Sequence, residues 1–209
     1  MIGLVRWLLV CLPFLAEGSD TLHLHQNWLF QSKDARSVHL AKVPGVVHLD
    51  LMTNGLLPDP FSESNEKIVQ FVEQNDWVYI NQFDVEGWAE AKNYTLVFEG
   101  LDTYAEVRLN GQIILESDNM FRRWEVEVKS LLKPQANSLV VTFRSPIAVH
   151  EDRLQGPPYH LTAGNDAGTA KVSVYTRKAP YHFGWDWGPR LVTCGIFRPV
   201  YLIAWEDCR

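Results

Sequence analysis

The chain has 209 residues, of which 46% are hydrophobic and 12% aromatic, with eight tryptophans and a formal net charge of −6. So many large apolar side chains exclude a disordered or linker-like chain. The acidic balance, with basic residues no denser than pairs such as Arg122-Arg123 and Arg177-Lys178, argues against nucleic acid as a partner.

Met1 to Arg6 carry one positive charge, and Trp7 to Ala16 form an apolar run about half as long as a bilayer span. Ala16 and Gly18 supply the small residues that a signal peptidase needs, so residues 1–18 read as a signal peptide. That pattern places the protein in an exported compartment: periplasmic, secreted or lysosomal. No membrane span is expected, and Leu8-Leu9-Val10-Cys11 is a poor lipoprotein box because the residue before the cysteine is not small. Residues 19–209 are about the length of one large all-β domain. Of the three cysteines only Cys194 and Cys208 lie in it, too few for a disulfide-built scaffold.

His23 and His25 share one face of a first strand, without a third residue to complete a metal site. Behind Pro44-Gly45, Val46, Leu49 and Met52 or Thr53 fall on one helical face, and Asn54-Gly55 then stops the helix. Strands are predicted at 76–83 and 94–99, the second opening beside the glycosylation sequon Asn93-Tyr94-Thr95. Val107 and Leu109 alternate with Glu106, Arg108 and Asn110; Asn110-Gly111 reads as a tight hairpin turn, with 113–115 as the return strand. Trp124, Val126 and Val128 alternate with Glu125, Glu127 and Lys129, and Leu139, Val141 and Phe143 do the same, which puts Trp124 and Phe143 in the core. Residues 146–171 read as one long loop, followed by strands at 172–175 and 200–205. The economical architecture is a two-sheet β-sandwich with one short helix. The end at Cys208-Arg209, directly after a strand, suggests a piece of something longer.

The run Tyr181-His182-Phe183-Gly184-Trp185-Asp186-Trp187-Gly188-Pro189-Arg190 carries the chemistry. Two indoles beside a carboxylate suit a sugar, whose hydroxyls donate to the acid and whose C–H faces lie on the rings. A second reading is equally open at this level: a glycine-bounded turn whose tryptophans plug the sandwich while Asp186 caps a backbone amide. His182 reads as a packed loop histidine. The acid pairs Glu63 with Glu66 and Glu125 with Glu127 have the spacing of solvated loop and outer strand positions. No nucleophile–base pair, phosphate loop or zinc-spaced cysteine set occurs, so neither cofactor nor metal is expected.

The run from Arg177 to Pro189, followed by Gly195-Ile196-Phe197-Arg198-Pro199-Val200, resembles the β-mannosidases of glycoside hydrolase family 2. Val43 to Leu51, Phe98 to Ala105, Asn110-Gly111 and Asp118 to Phe121 support the resemblance in the same order. It implies a galactose-binding-like jelly roll, joined in the whole enzyme to a (β/α)8 barrel that holds two catalytic glutamates. Such retaining enzymes keep the carboxyl groups about 5–5.5 Å apart. Asp186 and Trp185 are then the substrate-binding residues for a terminal β-mannosyl unit, supported by Trp187, Gly188 and Pro189. A barrel needs about 250 residues, so no catalytic residue is assigned here and the chain alone is expected to hydrolyse nothing. Phe197 stands where the family often has tryptophan, and Cys194 where it often has a small residue. The rivals are a free-standing carbohydrate-binding module and a sandwich that only braces a barrel.

Overall fold

A computed structural model describes residues 20–87, 92–155 and 161–206. The proposed signal segment, Cys11 and Cys208 lie outside them. Among these residues ten strands form two antiparallel sheets: β1 (Asp20–His23), β2 (Leu29–Ser32), β3 (His39–Leu40), β4 (Trp77–Phe83), β5 (Asn93–Phe98), β6 (Tyr104–Leu109), β7 (Gln112–Asp118), β8 (Trp124–Glu127), β9 (Asn137–Phe143) and β10 (Val200–Trp205). One sheet has the order β1-β10-β5-β8 and the other β3-β2-β4-β9-β6-β7.

The core lies between them and follows period-two alternation. Leu139, Val141 and Phe143 of β9 stand opposite Leu109, Val107 and Ala105 of β6, and all six are buried. From the other sheet Leu96, Phe98, Val200 and Leu202 close the interior. At the β6–β7 hairpin Asn110 and Gly111 both have positive φ, 51° and 89°. The Asn110 side chain extends the turn into the fold, donating to Leu131 O at 2.7 Å and accepting from Ser138 N at 2.9 Å.

Several expectations are corrected. Among the described residues four short α-helices replace one: α1 (Val47–Thr53), α2 (Asn65–Ile68, continuing as a 3-10 helix over Val69–Gln74), α3 (Pro146–Val149) and α4 (Glu151–Gln155). In α1 the inward face is Val47, His48, Asp50 and Leu51, whereas Leu49 is 58% exposed. Asp50 turns that face inward by accepting from Lys42 N at 2.8 Å and from the Tyr79 hydroxyl at 2.7 Å. The expected loop from 146 begins with α3, whose Ser145 side chain accepts from Ile147 N and Ala148 N. The strand expected at 172–175 is a 3-10 turn over Ser173–Tyr175. Trp124 is only half-buried, because β8 is an edge strand and its ring is covered on one side by Arg122 at 4.4 Å. Glu125, Glu127 and Arg144 face outward as alternation requires.

Candidate functional site

Between residues 178 and 190 the chain leaves the sandwich, makes a turn and comes back. Pro180–Phe183 form a 3-10 turn that ends at Gly184, whose φ of 95° a side chain would resist. Trp185 N then donates to Gly188 O at 3.1 Å, and Gly188 N to Trp185 O at 3.3 Å. This reciprocal pair makes Asp186 and Trp187 the two tip residues of a tight reverse turn. Their side chains have nowhere to go but out: Trp187 is 80% exposed, Trp185 42%, and Asp186 is exposed with them. The tryptophans do not plug the core, and no hydrogen bond among the described residues engages the Asp186 carboxylate. Gly188 and Pro189 form the returning arm, half-buried.

The base of the turn is fixed. Phe183 is fully buried in a small satellite core with Val172 and Val192, and Leu191 N donates to His182 O at 3.0 Å to tie the arms together. Below them Arg190 reaches into the protein. Its Nε and Nη2 donate to the two carboxylate oxygens of Glu73 at 3.1 and 3.2 Å, and its Nη1 pairs with Asp166. Asp166 in turn accepts from Gly168 N and Ser173 N at 3.2 and 3.1 Å. All three ionic side chains are buried. Gly168 must be glycine for this to fit, since a Cβ there would stand 2.5 Å from the Arg190 guanidinium carbon. Gln70 completes the anchor by donating to Arg190 O at 2.8 Å.

A second buried ion pair holds the start of the segment. Lys178 Nζ pairs with Asp102 and also donates to Thr193 O at 2.7 Å. Burial pulls the Lys178 ammonium below its ordinary value, and the Asp102 charge opposes that shift. His182 stacks on Tyr181 with ring centroids 4.8 Å apart and lies 3.8 Å from Asp102. Burial, reinforced by the Lys178 charge, lowers both His182 and His48 to about 4, so both are neutral at pH 7. Cys194 is buried and its thiol is pushed up by desolvation, which makes it an inert packing group.

The turn forms one wall of a groove of about 670 Å³. The helical segment of α2 and the 3-10 helix after it lines the same groove through Glu66, Lys67, Gln70 and Gln74, as do the buried Glu73 and Arg190. Sequence patterning missed this helical lining and the Arg190 cluster. Arg190 adjoins the Trp-Asp-Trp run, but its partners are 117 and 24 positions away and carry no local signal.

The remaining candidates do not assemble. His23 and His25 have ring centroids 5.0 Å apart, and no group of three metal-capable side chains occurs among the described residues. Glu63 and Glu66 are exposed around α2, and Glu125 and Glu127 point outward from β8, where Glu125 pairs with Arg123 at 2.8 Å. Asn93 opens β5 and donates to Glu206 O at 3.0 Å. No helix among the described residues is long and apolar enough to cross a membrane.

A two-sheet sandwich that displays an aspartate between two exposed indoles defines the class: a β-sandwich of the galactose-binding-like type. Residues 28–198 match the family described as glycosyl hydrolase 2 galactose-binding domain-like, and the chain belongs to that family. It is 43% identical over 187 residues to beta-mannosidase B of Thermothelomyces thermophilus, covering 88% of this chain and 22% of that protein. It is 39% identical to beta-mannosidase B of Emericella nidulans over the same shares. Among solved structures, the beta-D-mannosidase of Dictyoglomus thermophilum superimposes with a TM-score of 0.84 at 46% identity, over 91% of this chain and 23% of that one. The exo-chitosanase of Amycolatopsis orientalis, at 16% identity and TM-score 0.62, shares the fold; the match covers 90% of this chain and 21% of that one. The chain thus spans under a quarter of the length of these relatives.

Proposed function

We propose that this chain is the amino-terminal domain of an exported, retaining exo-β-mannosidase, and that Asp186 and Trp185 bind the terminal β-mannosyl residue while glutamates of a barrel in the same protein carry out the chemistry. The observation that carries the reading is the Trp185–Gly188 turn, which holds an exposed carboxylate and two indoles outside the sandwich on a base locked by Arg190. Such a base reduces the ordering that binding would otherwise require. The Asp186 carboxylate accepts hydrogen bonds from ring hydroxyls, the Trp185 ring covers a C–H face, and neither moves a proton. The names of the relatives point to the same substrate class.

The test uses the full-length protein and an aryl β-mannoside. Asp186→Ala should leave the melting temperature nearly unchanged and lower kcat/KM at least about tenfold, because a hydrogen bond to a charged group contributes roughly 1.5–3 kcal/mol. A destabilised variant with unchanged kcat/KM would remove Asp186 from the site.

A further inference from the structure

The excursion that carries the Trp185–Gly188 turn starts at Lys178 and returns at Thr193, and one buried group clasps its two ends. Lys178 Nζ donates to Thr193 O at 2.7 Å and pairs with the Asp102 carboxylate, and each of the two ionic side chains is only 1% exposed. Asp102 is itself fixed. Its N–H donates to Gly195 O at 3.0 Å, its carbonyl accepts from Gly195 N at 3.1 Å, and its other carboxylate oxygen accepts from the Thr103 hydroxyl. The clasp therefore sets where both arms of the turn begin, while Arg190 anchors the returning arm further along.

Two histidines crowd this single ion pair. His182, on the outgoing arm, brings Nδ1 to 3.8 Å from the Asp102 oxygen that Lys178 holds, and His48 reaches the same charges from α1. Neither Nδ1 has a hydrogen-bond partner among the described residues. Tyr181 lies against the His182 ring, and the Cys194 thiol, raised by burial, stays protonated beside the pair on the returning arm. One carboxylate thus faces one cation and two bases, each able to become another. Burial and the Lys178 charge lower both bases to about 4 and keep them neutral. A buried cluster with one anion tolerates one cation, because a second would be left uncompensated away from water.

We propose that Lys178 is a positioning residue for Asp186 and that His182 is its competitor for Asp102, so that the sugar site stands in place only while this carboxylate faces a single cation. This rests on the reading under Proposed function, since it is the Asp186 carboxylate whose place the clasp determines. The charge count gives the sign. In the wild type a proton on His182 adds a second cation, so substrate binding weakens as pH falls. With methionine at 178 the cluster needs a proton, on the histidine or on the carboxyl, to balance Asp102, so binding weakens as pH rises. Neither Asp186 nor the glutamates of a barrel would invert in this way, because the substitution leaves their titrations in the same direction.

KM for p-nitrophenyl β-mannoside would be followed from pH 4 to 8 in the full-length wild type and in Lys178→Met, Lys178→Met/Asp102→Asn and His182→Gln, at a temperature where each is folded. Apparent affinity scales with the fraction of protein in the competent state, so the ratio of Lys178→Met to wild-type KM should climb about tenfold for each pH unit above the midpoint of the new titration. The double variant, whose pair is neutral at every pH, should lose that climb. A level ratio for Lys178→Met, or a climb that survives in the double variant, overturns the proposal. His182→Gln tests the competitor separately, and alone decides if Lys178→Met does not fold. With about half of His182 protonated at pH 4, the ratio of wild-type to His182→Gln KM should about double between pH 6 and pH 4, and a level ratio overturns the proposal. A wild type that turns over no β-mannoside at any pH is a different result: it overturns the mannosidase reading, and the positioning role with it.

Discussion

Replacing Arg190 with methionine keeps the length and the apolar stem of the side chain and removes only the guanidinium. Glu73 and Asp166 would then be two buried carboxylates without their cation. Breaking a buried ion pair from one side costs about 3–5 kcal/mol. For a domain of 150–250 residues that corresponds to a fall of roughly 6–20 °C in Tm. The pH dependence has a definite sign. Burial raises the Glu73 carboxyl above its ordinary value even with Arg190 in place, and Arg190 is the group that pulls it down. A carboxyl raised in the folded state favours folding at acid pH, and that contribution is lost as pH rises through its folded value. Without Arg190 the folded value climbs further, so the deficit of the variant should be largest near neutrality and shrink at pH 5. Urea melts followed by tryptophan fluorescence at pH 5 and 7.5 measure this directly. Glu73→Gln, which keeps the shape and leaves Arg190 its charge partner Asp166, should cost less than Arg190→Met, about 1–3 kcal/mol for the one guanidinium N–H left without an acceptor. An Arg190→Met protein within about 1 kcal/mol of the wild type at pH 7.5, or one whose deficit is the same at pH 5, would refute the anchoring role.

Other outcomes follow from the core and the histidines. Phe143→Ala should cost about 3–5 kcal/mol because the ring is fully buried, whereas half-buried Trp124→Ala should cost clearly less and Glu127→Ala under about 0.5 kcal/mol; denaturant melts that reverse this order would put β8 in the wrong register. His48 and His182 are lowered to about 4, so the fold prefers them neutral, and their contribution is present above the unfolded value and lost as pH falls from roughly 6.5 to 4. His48→Leu should therefore flatten the dependence of Tm on pH across that window, and an unaltered slope would show that His48 is not one of the groups responsible.

Strand positions were legible wherever one face is buried and the other wet. In β9 the alternation of Leu139, Val141 and Phe143 is enough by itself, and Asn110-Gly111 marks the β6–β7 hairpin because the turn requires two residues with positive φ. Four residues at 172–175 are too few for a period to be diagnostic, and there the backbone closes a 3-10 turn that the Thr176 hydroxyl seals on Val172 O at 2.9 Å. α1 was found in the right place with the wrong face, since its inward residues include Asp50, which is polar and buried only because Tyr79 and Lys42 satisfy it. The exposed Trp-Asp-Trp tip could be singled out from residue types alone. Its anchor could not, because Arg190, Glu73 and Asp166 meet only through the tertiary fold.

The position of β10 between β1 and β5 has a consequence for how the protein is made. Asp20 lies opposite Ala204, so β1 waits for a partner synthesised about 180 residues later. At about 5–20 residues per second that delay is roughly 10–40 s on the ribosome. The six-stranded sheet is complete once Phe143 has emerged, but its apolar face is then covered only by β5 and β8. Until β10 slides in between, the nascent chain carries two open strand edges and an uncovered greasy surface, the state in which a chaperone would be needed most.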